Sequence, residues 1–163
     1  MNVQVSRRYA LVAVLLAAGL GCGGAQRRTQ QLRPLEERRA RALIEEAMTD
    51  NGEKPSRPRQ IILPSGQALS EDMAIEGSRY GVAYVTAPEA AEVSGSIPAY
   101  DPDATELKLV RGQNGEVVLV LYEQSYRYDA GETHSTNAVT AERMLKRDVN
   151  DYLLHVVKPD KVK

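Results

Sequence analysis

Residues 106–128 constrain the fold of this chain more than any other stretch. Two β-rich runs, Glu106 to Arg111 and Glu116 to Tyr128, flank Gly112-Gln113-Asn114-Gly115. Asn-Gly between such runs predicts a tight hairpin, because both central residues of a type I′ turn need positive φ. A two-residue loop sets Val110 opposite Leu119 and a four-residue loop sets it opposite Val117; the pattern admits both registers. Val117 to Tyr122 is apolar at every position, so both faces of that strand need cover. Further on, Glu123, Ser125 and Arg127 make one side polar, while Tyr122, Gln124, Tyr126 and Tyr128 make up the other.

Two amphipathic helices are available as cover. Ala40, Leu43, Ile44, Ala47 and Met48 recur at helical spacing, predicting a helix over about 34–49 that starts near Pro34 and stops at Asn51-Gly52. Ala138, Ala141, Leu145, Val149, Tyr152, Leu153 and Val156 form a longer stripe, predicting a helix over about 137–157 closed by Pro159. Between them, Gln60 to Leu63 and Arg79 to Thr86 have strand composition. Ser70 followed by acidic residues reads as the start of a single helical turn ending at Gly77, and Pro88 to Asp103, with three prolines, reads as loop. The resulting class is α+β, a small antiparallel sheet with a central hairpin (about 106–128) packed by the two helices. If the last helix covers one face of the hairpin, the other falls to the first helix or to a partner chain.

Composition narrows the function classes. With 21 Lys+Arg against 22 Asp+Glu in 163 residues, the chain lacks the basic field of a general nucleic-acid binder. Its 42% hydrophobic and 26% charged residues fit one soluble domain and exclude a multi-span membrane protein.

The amino end carries an address. Arg7 and Arg8 precede an apolar run from Tyr9 to Leu20, the pattern of an export signal. The only cysteine follows in Gly19-Leu20-Gly21-Cys22, and this junction resembles the lipobox of bacterial lipoproteins. The small residue before the cysteine is matched by Gly21, whereas the family's usual leucine position holds Gly19. The resemblance covers residues 1–24 alone. It implies diacylglycerol on the Cys22 sulfur, cleavage before it and acylation of the new amino group. It further implies a location in the bacterial cell envelope, on the outer membrane facing the periplasm or the cell surface. The expected organisation is a signal peptide (1–21), a lipidated flexible tether (22–33) and a single domain (34–163). Arg27, Arg28, Arg33, Arg38, Arg39 and Arg41 are concentrated near the anchor, where they either touch anionic headgroups or line a solvated helix face.

Catalytic patterns are sparse. His134 lies in Gly131-Glu132-Thr133-His134-Ser135-Thr136 with no G-x-S-x-G, and His155 sits beside the last apolar stripe, where a structural role suffices. Asp129, Glu132 and His134 match no zinc spacing. Asp101, Asp103 and Thr105 lack the glycine and glutamate of a calcium loop. Gly19, Gly21 and Gly24 spell a dinucleotide fingerprint that follows no strand. Neither a metal nor a cofactor is expected. Tyr122, Tyr126 and Tyr128 are the candidate binding surface, with a seam beneath the last helix as their structural alternative. The expectation is a non-enzymatic, lipid-anchored module. Its partners are membrane lipid through acylated Cys22 and an envelope protein or cell-wall polymer, not nucleic acid. The alternatives are a hydrolase-type envelope enzyme using His134 and an accessory or immunity lipoprotein of a contact-dependent toxin system.

Overall fold

Aliphatic and aromatic residues fill 80–85 and 117–122 almost without interruption, and extended backbone is the conformation in which such side chains pack on both sides. The computed structural model describes residues 31–131 and 137–161. In chain order these form β1 (Leu32–Pro34), α1 (Glu37–Asp50), β2 (Pro55–Ser56), β3 (Arg59–Ile62), β4 (Ala68–Glu71), β5 (Met73–Ile75) and β6 (Tyr80–Val85). There follow α2 (Ala87–Glu92), β7 (Leu109–Arg111), β8 (Val117–Tyr122), β9 (Arg127–Asp129) and α3 (Ala138–Tyr152). The last helix continues through a π turn (Leu153–Val157) into α4 (Lys158–Lys161).

The fold is α+β, with an amino-terminal helix and a long carboxy-terminal one around small, largely antiparallel sheets. A five-stranded sheet runs β2-β5-β6-β8-β7, and β1-β9 and β3-β4 are separate antiparallel pairs. The central β6–β8 pair is parallel, with Val82 opposite Leu119. The edges are short: β2 holds Pro55 and β7 ends in Arg111, features that discourage pairing with another chain.

The hairpin forms, in a register that neither loop length anticipated. Val110 faces Val118, leaving a three-residue loop. Gly115 has φ 83 and its N–H donates to the Gly112 carbonyl, while the Gly112 N–H donates to the Glu116 carbonyl. This is a tight turn followed by a bulge that needs one left-handed residue, not two. The second strand is also shorter than its β-rich run, because a 3-10 turn over Glu123–Tyr126 turns the chain away and β9 pairs with β1.

Both helices lie on one face of the sheet, packed against Tyr80, Val82, Tyr84, Val117, Leu119 and Leu121. They run side by side in the same direction, since Arg39 pairs with Glu142 at one end and Asn51 bonds Asn150 further along. The opposite face, carrying Ala83, Val85, Val118, Val120 and Tyr122, is covered by Ile61, Leu63 and Leu69 of the β3–β4 hairpin and by Val93. The expectation that the first helix or a partner would cover this face is therefore corrected. A local hairpin does so, because Ile61 and Leu69 pair across strands with their side chains on one side.

Other boundaries shift for identifiable reasons. The first helix begins at Glu37 and not near Pro34, because Leu32–Pro34 is held in extended backbone by β9. Leu32 and Arg33 of the expected tether are thus part of a strand pair. The Ser70 segment is strand, with Leu69 and Glu71 buried and Ala68 and Ser70 exposed, a period of two. Within Pro88 to Asp103 a short helix forms, because Thr86 and Glu89 complete a capping box and Pro88 sits in the first turn. Pro159 does not close the last helix; the π turn lies just ahead of it, and proline is tolerated in the first turn of α4.

Candidate functional site

Cys22, His134, the expected signal peptide and most of the expected tether lie outside the described residues. The tyrosines do not form one surface. Tyr122 and Tyr126 are 4% and 3% exposed and belong to opposite faces of the sheet, while Tyr128 is half-buried. The 3-10 turn between them breaks the strand alternation that would have aligned them. Tyr126 donates to the Asp148 carboxylate at 2.8 Å, and Tyr122 donates to the Pro98 carbonyl. Burial drives the Tyr126 hydroxyl well above its ordinary pKa, with Asp148 adding to the effect. His155 is exposed at a shallow groove of about 280 Å³ that Arg79, Tyr80, Arg111 and Asp160 also line. Asp160 there accepts from Arg79 at 2.6 Å and from the Tyr80 hydroxyl.

Two buried carboxylates anchor the folded core, and their helix-cap appearance in the sequence concealed them. Asp72 accepts the Tyr84 backbone N–H at 2.6 Å and the Arg41 Nε at 2.7 Å, and Arg41 also grips Glu37. This ties the middle of α1 to the sheet, and the Tyr84 hydroxyl completes the tie by donating to the Leu35 carbonyl at 2.8 Å. Glu71 is fully buried and ion-paired with Arg59 directly across the β3–β4 pair, and Arg59 also donates to the Ser78 carbonyl at 3.1 Å. Burial raises the Glu71 pKa, while the hydrogen bond and charge of Arg59 oppose the rise. Gly81 is glycine because a Cβ there would fall on the Glu71 carboxylate. Both acids have protein partners that occupy their oxygens, as structural charges do. The signal that could have found them is the alternation of Ala68, Leu69, Ser70 and Glu71.

The end of the domain where the chain enters is different in character. β1, β9 and the first turns of α1 and α3 meet there, joined by the Leu35 N–H to the Tyr126 carbonyl at 3.2 Å and by a two-bond Arg39–Glu142 pair at 2.7 and 2.8 Å. That pair holds the Glu142 carboxyl below its usual range. Arg33, Arg38, Arg127 and Arg143 are exposed here, and their side chains have no ion-pair or hydrogen-bond partner among the described residues. Leu32 and Val139, among the most exposed large apolar residues, stand at the same end with 50% and 58% exposure.

Among the described residues no group of three His, Cys, Asp or Glu side chains could hold a metal, and no helix is long and apolar enough to cross a membrane. Comparison of the chain with protein-family models, curated proteins and solved structures finds no match.

Proposed function

We propose that this protein is a lipid-anchored component of the bacterial cell envelope whose α+β domain acts as a binding module for another envelope protein or a cell-wall polymer. The observation that carries the reading is the placement of the single cysteine, which ends the apolar run at Gly19-Leu20-Gly21-Cys22. The folded domain begins ten positions later, at Leu32 (32 − 22 = 10). At about 3.3–3.6 Å per residue that interval holds the domain within roughly 35 Å of an acylated Cys22. Each apolar face of β6 and β8 has cover from the chain itself, so a partner meets the outside of a closed domain.

Cys22→Ala should release the protein from membranes into the soluble fraction, and mass analysis of the wild-type amino terminus should find the acyl groups. An unmodified terminus would remove the anchor. Cross-linking in intact envelopes should then recover a stoichiometric partner. His134→Gln with His155→Gln should leave the cellular phenotype intact; its complete loss in a folded double variant would favour the hydrolase reading.

A further inference from the structure

We infer that the chain-entry end of the domain, made by β1, β9 and the first turns of α1 and α3, rests on the anionic headgroups of the membrane that anchors Cys22. The inference deepens the lipid-anchor reading and takes from it the identity of the surface. Three observations converge on it.

The first is position. The chain joins the domain at Leu32, and α1 and α3 start side by side at this end, linked by Arg39 and Glu142. A tether of ten residues attached at this end brings it nearer the bilayer than the opposite end, where the π turn and α4 lie.

The second is charge. Of the acids here, Glu142 is ion-paired by Arg39 and Glu37 by Arg41, while Asp129 accepts the N–H groups of Gln31 and Gly131 and keeps its charge. Arg33, Arg38, Arg127 and Arg143 face solvent without an ion-pair partner among the described residues, and Glu36 and Glu123 are the nearby described acids that make no ion pair among those residues. Elsewhere Arg41, Arg59, Arg79 and Arg147 each hold a carboxylate, while Arg57 and Arg111 are exposed singly without an ion-pair partner among the described residues. Arginines near an anionic leaflet contribute about 1 kcal/mol each, close to fivefold in partitioning.

The third is the exposed apolar pair. Leu32 on β1 and Val139 in the first turn of α3 are exposed on the same elements that carry Arg33 and Arg143, apolar side chains of the kind an interface with hydrocarbon beneath a charged layer can take up.

The test uses the protein purified from envelopes and reconstituted in vesicles of phosphatidylcholine, with or without phosphatidylglycerol. Amide hydrogen exchange should slow over 32–34, 127–129 and 138–143 on the phosphatidylglycerol vesicles alone. High salt should abolish the slowing, and each Arg→Gln change at 33, 38, 127 or 143 should weaken it about fivefold. Thermal unfolding of the quadruple Gln variant should match the wild type. Equal exchange on the two vesicle types would overturn the inference. So would slowing that requires added envelope proteins, which would make this end a protein-binding surface. The acyl mass, read on the same sample, separates the two proposals. Arginine-dependent slowing without acylation would sink the anchor and leave the surface standing, and acylation without slowing would do the reverse.

Discussion

The two faces of the five-stranded sheet are covered by different means. On the helix face, α1 and α3 bury twenty residues in one cluster, whose polar atoms include tyrosine hydroxyls such as Tyr152, which donates to the Val117 carbonyl at 2.7 Å, and the Asp72–Arg41 pair lies at its margin. On the other face a two-stranded hairpin and the α2 segment bury ten residues, and a buried ion pair takes the place of apolar packing at one end. Apolar burial has no orientation and tolerates adjustment, whereas Arg59 and Glu71 must both be present in one geometry. The helix face therefore supplies bulk stability, and the hairpin face supplies a contact with strict requirements.

Substitutions can break or sharpen that contrast. The largest effect is expected on the helix face: Leu145→Asp or Leu153→Asp places an unpaired charge at a fully buried site and should unfold the domain, as read by circular dichroism. Removing residues up to Asn51 exposes the same face, since Ala40, Leu43, Ile44, Ala47 and Met48 are all buried in it, and should also abolish cooperative unfolding. On the hairpin face, Arg59→Ala strands Glu71 and should cost about 3 kcal/mol at neutral pH. The pH dependence follows from the raised Glu71 pKa. A carboxyl that holds its proton more tightly when folded adds stability below its unfolded pKa and loses it as pH rises through the folded value. Without Arg59 the rise is larger, so the variant should lose more stability than the wild type as pH rises above the ordinary carboxylate range; parallel profiles would mean the ion pair matters little. The smallest effect separates the two turn residues. Gly115→Val should cost about 1 kcal/mol or more because Gly115 is left-handed, while Asn114→Val should change the thermal midpoint only slightly. Equal losses would indicate a two-residue turn.

Much of the fold was legible before the structure. The stripes at Ala40 to Met48 and Ala141 to Leu153 mark the helices, and Gly115 with the run Val117 to Tyr122 marks the hairpin, because these signals are local and repeat at the spacing of their element. What covers the second face was not legible. Ile61 and Leu69 act there only when paired with each other, and Glu71 looks like a solvated acid until Arg59 is placed opposite it. The tyrosines illustrate the same limit: their alternation is real only while the strand continues, and the turn at Glu123 ends it. At the candidate membrane face, the arginines were visible in number but not in pairing. Arg39 and Arg41 are spent on carboxylates, whereas Arg127 and Arg143 join Arg33 and Arg38 from distant parts of the chain.

The parallel alignment of β6 with β8 bears on the order in which the domain assembles. Every residue of this pair is matched to one 37 positions further along, from Tyr80 with Val117 to Val85 with Tyr122. The β3–β4 and β7–β8 hairpins close over a few residues each, but the central pair must first close a loop whose entropy costs about 3 kcal/mol. The two hairpins should accordingly nucleate early and the centre last, so kinetic φ-values near Val118 are expected to exceed those at Val82. Until the centre closes, β8 presents aliphatic side chains on both sides, and the slowest step of folding is also the one during which the chain is most prone to aggregate.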